Sequence, residues 1–329
     1  MPAPRFDLIG VGNAIVDVVA PCEDGFLSRH GMRKGGMALI DAEAAERLYG
    51  AMPPGQESSG GSAANTCAVA AGLGARVAYL GKVADDQLGA VFRHDIVAAG
   101  VHHPTAPLRG GAPTARCLIL VSPDGQRTMN TFLGASVAFA PGDVDEALVA
   151  DSAVVYLEGY LFDPPQAQAA FHRAAAAAHA AGRQVALSLS DPFCVDRHRA
   201  AFRAFVRGQV DILFANEAEV CSLYEADEFE DAARQAAAEV GLAALTRSEA
   251  GSVVLRGSER ADVPAAAARV VDTTGAGDAY AAGFLAALAA GRGLAACGRL
   301  GSLAAAEVIG QYGARPRADL RRLAADAAD

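Results

Sequence analysis

Positive charge is in short supply. Twenty-eight Lys and Arg face 38 Asp and Glu, a formal charge of −10 over 329 residues. That balance argues against nucleic acid or an anionic membrane as the main partner. The basic residues are also dispersed, with no aromatic-laced stripe. The six cysteines (Cys22, Cys67, Cys117, Cys194, Cys221 and Cys297) form no CxxC pair, so zinc and thioredoxin signatures are absent. Their scatter fits reduced, mostly buried thiols and a cytoplasmic setting. Met1 to Asp7 shows no basic region leading into an apolar run, so no secretory leader is expected. The longest apolar-looking stretch, Ala279 to Ala290, is too short to span a bilayer. A GxxxxGK[ST] loop is missing, which excludes a Walker-type nucleotide enzyme. Gly275-x-Gly277 meets Tyr280 where a dinucleotide fingerprint needs its third glycine. There is no GxSxG elbow. His102 and His103 are adjacent rather than four apart and read as loop polarity before Pro104. No repeat of 20–50 residues emerges.

What is present reads as a compact globular enzyme, 52% apolar and 20% charged. Short β-branched runs alternate with Ala-rich helical patterns. Strands are expected over Phe6–Val11, Ala75–Gly81, Asp151–Leu157, Gln184–Leu189, Asp211–Phe214, Ala243–Thr246 and Ser252–Leu255. Helices are expected over Ser62–Leu73, Gln166–Ala181, Glu217–Tyr224 and Phe229–Val240. This alternation predicts an α/β fold, a mostly parallel sheet with helices on both faces. Ligands then bind beyond the carboxyl ends of the strands. Ile15–Ile40 and Ala115–Phe132 read as strands without intervening helices, the second folded at Ser122-Pro123-Asp124-Gly125. Together they predict a small antiparallel β lid, drawn from about residues 15–56 and 112–136 of one domain covering 1–329.

Two motifs carry chemistry. The stronger is Asp272-Thr273-Thr274-Gly275-Ala276-Gly277-Asp278, opening into an Ala-rich helix. Small residues at a helix start aim several N–H groups at one spot, the arrangement an anion needs. Asp278 falls in the first helical turn, where a carboxylate can take a proton from an attacking hydroxyl. The bland alternative is an ordinary capping turn, which also favours Asp there. The second motif is Ser59-Gly60-Gly61-Ser62-Ala63-Ala64-Asn65-Thr66. Its glycines permit close backbone approach to a ligand, and Asn65 offers both donor and acceptor. Alone, Gly-Gly marks no more than a turn.

Taken together and in order, the motifs resemble the signatures of the PfkB, or ribokinase-like, carbohydrate kinase family. Asn216-Glu217-Ala218-Glu219 resembles its NxxE motif, Thr246 to Gly251 its nucleotide loop, and Gly10 to Asp17 its substrate strand. The resemblance spans essentially the whole chain. It implies a ribokinase-like three-layer α/β/α sandwich that uses ATP and Mg²⁺. It further implies Asp278 as base, and the backbone of Gly275, Ala276 and Gly277 as the anion hole. Asn13, Asp17, Gly60, Gly61 and Asn65 would hold the acceptor. Asn216 and Glu219 would organise phosphates and Mg²⁺ through water. Thr246, Gly251 and Ala305 would line the nucleotide side. Many members bind a monovalent cation, K⁺ for example, near the anion hole, and Asp272 with Thr274 sits where that site would begin. Arg247 reads equally as a phosphate contact or a solvated loop charge.

The acceptor is harder to read. Gly36 to Asp41, Asp124 to Thr131 and Ala306 to Ile309 resemble the wording of bacterial adenosine-kinase-like members of the family. Met37 and Leu39 put apolar surface on the lid, and Tyr160 or Phe162 could supply an aromatic wall for a purine. The expected activity is phosphorylation of a nucleoside 5′-hydroxyl, adenosine first. A ribose- or fructose-type sugar kinase and a non-catalytic nucleoside- or sugar-binding regulator are the alternatives. Retention of Asp278, Gly275 and Gly277 argues for an enzyme. Lid sheets of this family pair between subunits in some members, so a homodimer is also open.

Overall fold

The computed structural model describes residues 3–316 and 318–326. Met1 and Pro2, where the reading for a leader begins, lie outside them. Fourteen strands occur among the described residues: β1 (Phe6–Val11), β2 (Ile15–Pro21), β3 (Met37–Leu39), β4 (Gln56–Gly60), β5 (Val77–Leu80), β6 (Val101–His102), β7 (Ala115–Val121), β8 (Arg127–Phe132), β9 (Ser152–Glu158), β10 (Gln184–Ser188), β11 (Ile212–Asn216), β12 (Leu242–Thr246), β13 (Ser252–Arg256) and β14 (Glu259–Val263). Nine form one sheet in the order β14-β13-β12-β11-β10-β9-β1-β5-β6. From β12 to β6 the pairing is parallel; β13 and β14 add an antiparallel edge.

Both faces of this sheet are covered, which is why its strands are apolar without alternation. One core holds Leu8, Phe92, Phe214, Phe284 and Leu300, under the helices Ser62–Gly72, Gln87–Ala98, Ala276–Ala289 and Leu294–Ile309. The other holds Ile9, Val11, Phe171, Phe202 and Phe229, under Pro165–Ala180, Pro192–Gln209, Glu217–Tyr224 and Phe229–Glu239. The result is a three-layer α/β/α sandwich. Small residues set helix spacing on the first face. A Cβ on Gly283 would lie 2.5 Å from the Leu300 carbonyl oxygen, so Ala276–Ala289 and Leu294–Ile309 touch backbone to backbone. That contact brings residues 309–315 beside the start of Ala276–Ala289.

The remaining five strands form a smaller sheet, β3-β8-β7-β2-β4. It is mixed rather than antiparallel: β2 runs parallel to β7, and β3 parallel to β8. Nor is Ile15–Ile40 all strand, since the helix Asp24–Arg29 interrupts it, and a second helix, Ala42–Ala51, follows it. Asp41 starts the second by accepting from Ala44 N–H at 2.7 Å, a side-chain cap that the expected strand pattern obscured. The helix Pro192–Gln209 was also unforeseen. Its Arg- and His-rich face hides the apolar stripe, while Asp191 caps it and Pro192 takes its first position.

Candidate functional site

The chain crosses between the two sheets four times, and two of these crossings border the same cleft. Chain leaves β1 through Gly12-Asn13-Ala14 into β2, and leaves β4 through Gly60-Gly61 into the helix Ser62–Gly72. Gly61 has φ +95°, and a Cβ there would lie 2.0 Å from the Asn13 carbonyl oxygen. A Cβ on Gly60 would lie 2.4 Å from an Asp17 carboxylate oxygen. Glycine at both positions lets the two crossings lie against each other.

Asp278 stands where the two glycine motifs meet. Gly275, in the left-handed region at φ +78°, caps the helix Ala276–Ala289. A Cβ on Gly275 would collide with Ala314, whose own Cβ lies 2.6 Å away. In the first turn, Asp278 Oδ1 accepts from Ser62 Oγ at 2.6 Å and Oδ2 from Asn65 Nδ2 at 3.3 Å. Burial pushes the Asp278 carboxyl up to about 6, while the Ser62 and Asn65 bonds hold it back. Beside it, a Cβ on exposed Gly277 would meet nothing within 4 Å. First-turn amides have no intrahelical partner, so this helix start can receive an anion. The Ala276 N–H is the exception, donating to the Thr273 carbonyl at 3.2 Å.

On the opposite wall, buried Glu158 ends β9. Its Oε1 accepts from Asn13 N–H and Nδ2 at 3.2 and 2.8 Å, and its Oε2 from Ala63 N–H at 2.7 Å. Burial lifts its carboxyl to about 7 against those three bonds, with Asp278 adding repulsion. Asn13 Oδ1 is a buried acceptor without a protein partner. Asp17 is likewise raised to about 6 by burial, against the pull of Arg127 and Arg315 and with the push of Asp278. Arg315 donates to Asn65 Oδ1 at 3.3 Å and to Asp95 Oδ2 at 3.1 Å. The amide orientation of Asn65, which aims its donor at Asp278, is thereby fixed.

The aromatic expectation divides. Tyr160 is 39% exposed, and its hydroxyl is held protonated by desolvation and by the field of Asp191, Asp278, Glu219 and Glu158. Phe162 is 1% exposed and stacks on Phe202 at 4.2 Å in the second core, because a 3₁₀ turn over Gly159–Phe162 sends the two side chains to different places. Met37 stands 54% exposed on edge strand β3.

On the nucleotide side, Asn216 and Thr246 are register neighbours at the ends of β11 and β12. Asn216 Oδ1 accepts from Glu219 N–H at 2.9 Å, and Glu219 accepts in return from Asn216 N–H and Nδ2 at 2.9 and 2.7 Å. This is a capping box. Burial raises Glu219 to about 7. Gly251 has φ +87°, and a Cβ there would lie 2.1 Å from the Val263 carbonyl oxygen. Ala305 is half-buried on Leu294–Ile309. Arg247 lies over the Phe229 ring at 4.2 Å and donates to Glu217 at 3.2 Å, a local contact with the NxxE helix. No cluster of three or more His, Cys, Asp or Glu suited to a metal exists among the described residues. For a magnesium ion carried on phosphate oxygens, Glu219 is the carboxylate that would reach its waters.

Asp272 and Thr274, expected to begin a monovalent-cation site, are hydrogen-bonded to each other and to neighbouring protein groups. Asp272 Oδ1 accepts from Thr274 N–H and Oγ1, and Oδ2 from Gly313 N–H and Arg127 Nη1. Arg127, Arg315 and Glu158 carry no role in the motifs, and Ser62 stands in the second motif without one. Only Glu158, a charge closing the buried run Ser152–Glu158, left a local signal.

A carboxylate held at an open helix start, near the carboxyl ends of a parallel sheet, fits a small-molecule kinase. Residues 37–320 match the pfkB family of carbohydrate kinases, and the chain belongs to that family. The family implies ATP and a magnesium ion. The chain is 54% identical to an adenosine kinase from Sinorhizobium meliloti, with TM-score 0.90 over 98% of this chain and 99% of that one. It is 52% identical to a probable sugar kinase from Rhizobium etli, with TM-score 0.91 over 99% of each. An ATP-dependent ribose-1-phosphate kinase from Halopiger xanaduensis is 31% identical over 70% of this chain and 73% of that protein. No helix among the described residues is long and apolar enough to cross a membrane.

Proposed function

We propose that the enzyme transfers the γ-phosphoryl group of Mg·ATP to the 5′-hydroxyl of adenosine, yielding AMP and ADP. The observation that carries the reading is the Asp278 carboxylate, held by Ser62 and Asn65 of the acceptor motif at the mouth of the anion site. The hydroxyl proton passes to Asp278. A bond forms from O5′ to the γ-phosphorus as the bond to the β,γ-bridging oxygen breaks. The amides of Gly275 and Gly277 stabilise the charge on the transferring group. Magnesium, when bound, neutralises the phosphates.

Asn13, Asp17, Gly61 and Asn65 hold the ribose hydroxyls, and the unpartnered Asn13 Oδ1 accepts from one of them. Tyr160 walls the base. Thr246, Gly251 and Ala305 line the ATP side. The smaller sheet, residues 15–56 and 112–136, closes as a lid and carries Met37 over the acceptor. Adenosine should raise hydrogen-exchange protection in both segments, and unchanged protection would remove the lid. The setting is cytoplasmic, in keeping with six cysteines that are all free. Edge strand β3, with Met37 and Leu39 exposed, is where a second copy would pair in a homodimer.

A free sugar is the second reading, favoured by the fact that the ribose-facing groups need no base to act. Initial rates with adenosine, inosine, guanosine, ribose, fructose and ribose 1-phosphate separate the two. Adenosine should lead in kcat/KM, since stacking of a base contributes on the order of 1–3 kcal/mol. Efficient turnover of a sugar with adenosine inert would replace the nucleoside reading.

A further inference from the structure

The anion-hole loop begins at Asp272, and its carboxylate is saturated. Thr274 donates twice to Oδ1, from N–H at 3.0 Å and from Oγ1 at 2.7 Å. Gly313 N–H donates to Oδ2 at 3.0 Å, and Arg127 Nη1 donates to the same oxygen. Four donors fill the roughly four lone-pair sites of a carboxylate, leaving none for a bound ion. The Arg127 and Asp272 side chains are each only 7% exposed, so the pair is shielded from water and salt. Burial pushes the Asp272 carboxyl up, but Gly313, Thr274 and Arg127 outweigh it and keep the group ionised. A positive charge is therefore already in place where a monovalent cation would act.

Arg127 comes from β8, in the smaller sheet, whereas Asp272 precedes the Ala276–Ala289 helix of the larger layer. The charge of the same guanidinium opposes the burial that raises the Asp17 carboxyl on the acceptor strand. One side chain thus balances the acceptor carboxylate and the anion loop together. Nearby, a Cβ on Gly125 in the β7–β8 turn would lie 2.7 Å from the Tyr312 hydroxyl, so the smaller sheet rests on the 309–315 segment at a second point.

We infer that Arg127 is an internal replacement for a monovalent cation: it anchors the Asp272–Gly275 loop, and the enzyme works without K⁺. Arg127 acts here as a positioning residue. Its anchoring also makes the shape of the anion site depend on docking of the smaller sheet.

The activity arm of the test rests on the kinase reading, and the melting arm does not. Wild-type enzyme is assayed with Mg·ATP and adenosine in K⁺, Na⁺ or tetramethylammonium chloride at equal ionic strength. The expected kcat is the same within about twofold, a difference too small to signal a lost transition-state contact. Tm should be equal in the three salts, because an ion that binds only the folded state would raise it. The Arg127→Ala variant should lose about tenfold or more in kcat and recover part of it with added guanidinium or K⁺, but not with tetramethylammonium. Tenfold activation of the wild type by K⁺, a K⁺-specific rise in its Tm, or a variant as active as the wild type would overturn the inference. So would a folded variant that no small cation rescues. If Arg127→Ala does not fold, the wild-type salt series decides. Inactivity toward every acceptor in all three salts would instead count against the kinase reading, and Tm would still report on the cation.

Discussion

Ser62 Oγ donates to Asp278 Oδ1 at 2.6 Å, joining residues 216 positions apart. The contact ties the start of one helix to the start of another. The base is therefore oriented by the same turn that approaches the acceptor.

Asp278→Asn should lower kcat by about 10²–10⁴-fold and leave ATP affinity almost unchanged, since the base is needed only as the hydroxyl attacks. Steady-state kinetics and calorimetric titration with ATP would check both halves. The same variant should gain stability at neutral pH. The folded-state pKa of Asp278, about 6, lies above its ordinary value of 3.8. Its favourable contribution is thus full below the unfolded value and lost as pH rises through the folded one. Urea midpoints of variant and wild type should converge in acid and diverge toward neutrality.

Ser62→Ala tests the hydrogen bond directly. Asp278 works ionised, so kcat should rise with pH through about 6. Removing a donor to the charged form favours the proton, which moves this acid limb to higher pH. A pH profile whose limb stays in place would detach the limb from Asp278.

Phe162→Ala and Tyr160→Ala should behave oppositely. The first opens a cavity beside Phe202 and should cost about 3–5 kcal/mol in stability, with adenosine KM unchanged at temperatures where it stays folded. The second should leave Tm nearly unaltered and raise KM for nucleosides more than for ribose. Matched denaturation curves and acceptor kinetics read out both.

Glu219→Gln should raise the Mg²⁺ concentration needed for half-maximal rate and leave acceptor KM alone. The amide keeps an acceptor for Asn216 in the capping box but removes the charge that reaches magnesium-bound water. Magnesium titration at saturating ATP would show it. An effect confined to acceptor KM would move Glu219 out of the nucleotide side.

Much of the fold is legible because local signals and the final architecture agree. Strand β1 and the helix Glu217–Tyr224 occupy the residues the pattern predicts, and Asp278 sits in a first turn, as its small-residue approach implies. What escapes is information that exists only after folding. Phe162 and Tyr160 are two residues apart and chemically alike, yet a 3₁₀ turn puts one in the core and leaves the other half-open to water. The parallel pairing of β2 with β7 joins Ile15 to Ala115, and no turn signal spans such a gap. Arg127 reads as a polar residue following a hairpin turn, until Asp272 is brought to it from 145 residues away.

Arg315 has a consequence for how the enzyme comes into being. It reaches Asn65 across 250 residues and Asp95 across 220, and it lies just beyond the Gly313 that braces Asp272. On the ribosome, every acceptor-facing group is made long before the residue that orients Asn65. A nascent chain can lay down most of its larger sheet while residue 315 is still inside the exit tunnel. The acceptor motif therefore takes its final hydrogen-bonded form only once residue 315 has packed against it.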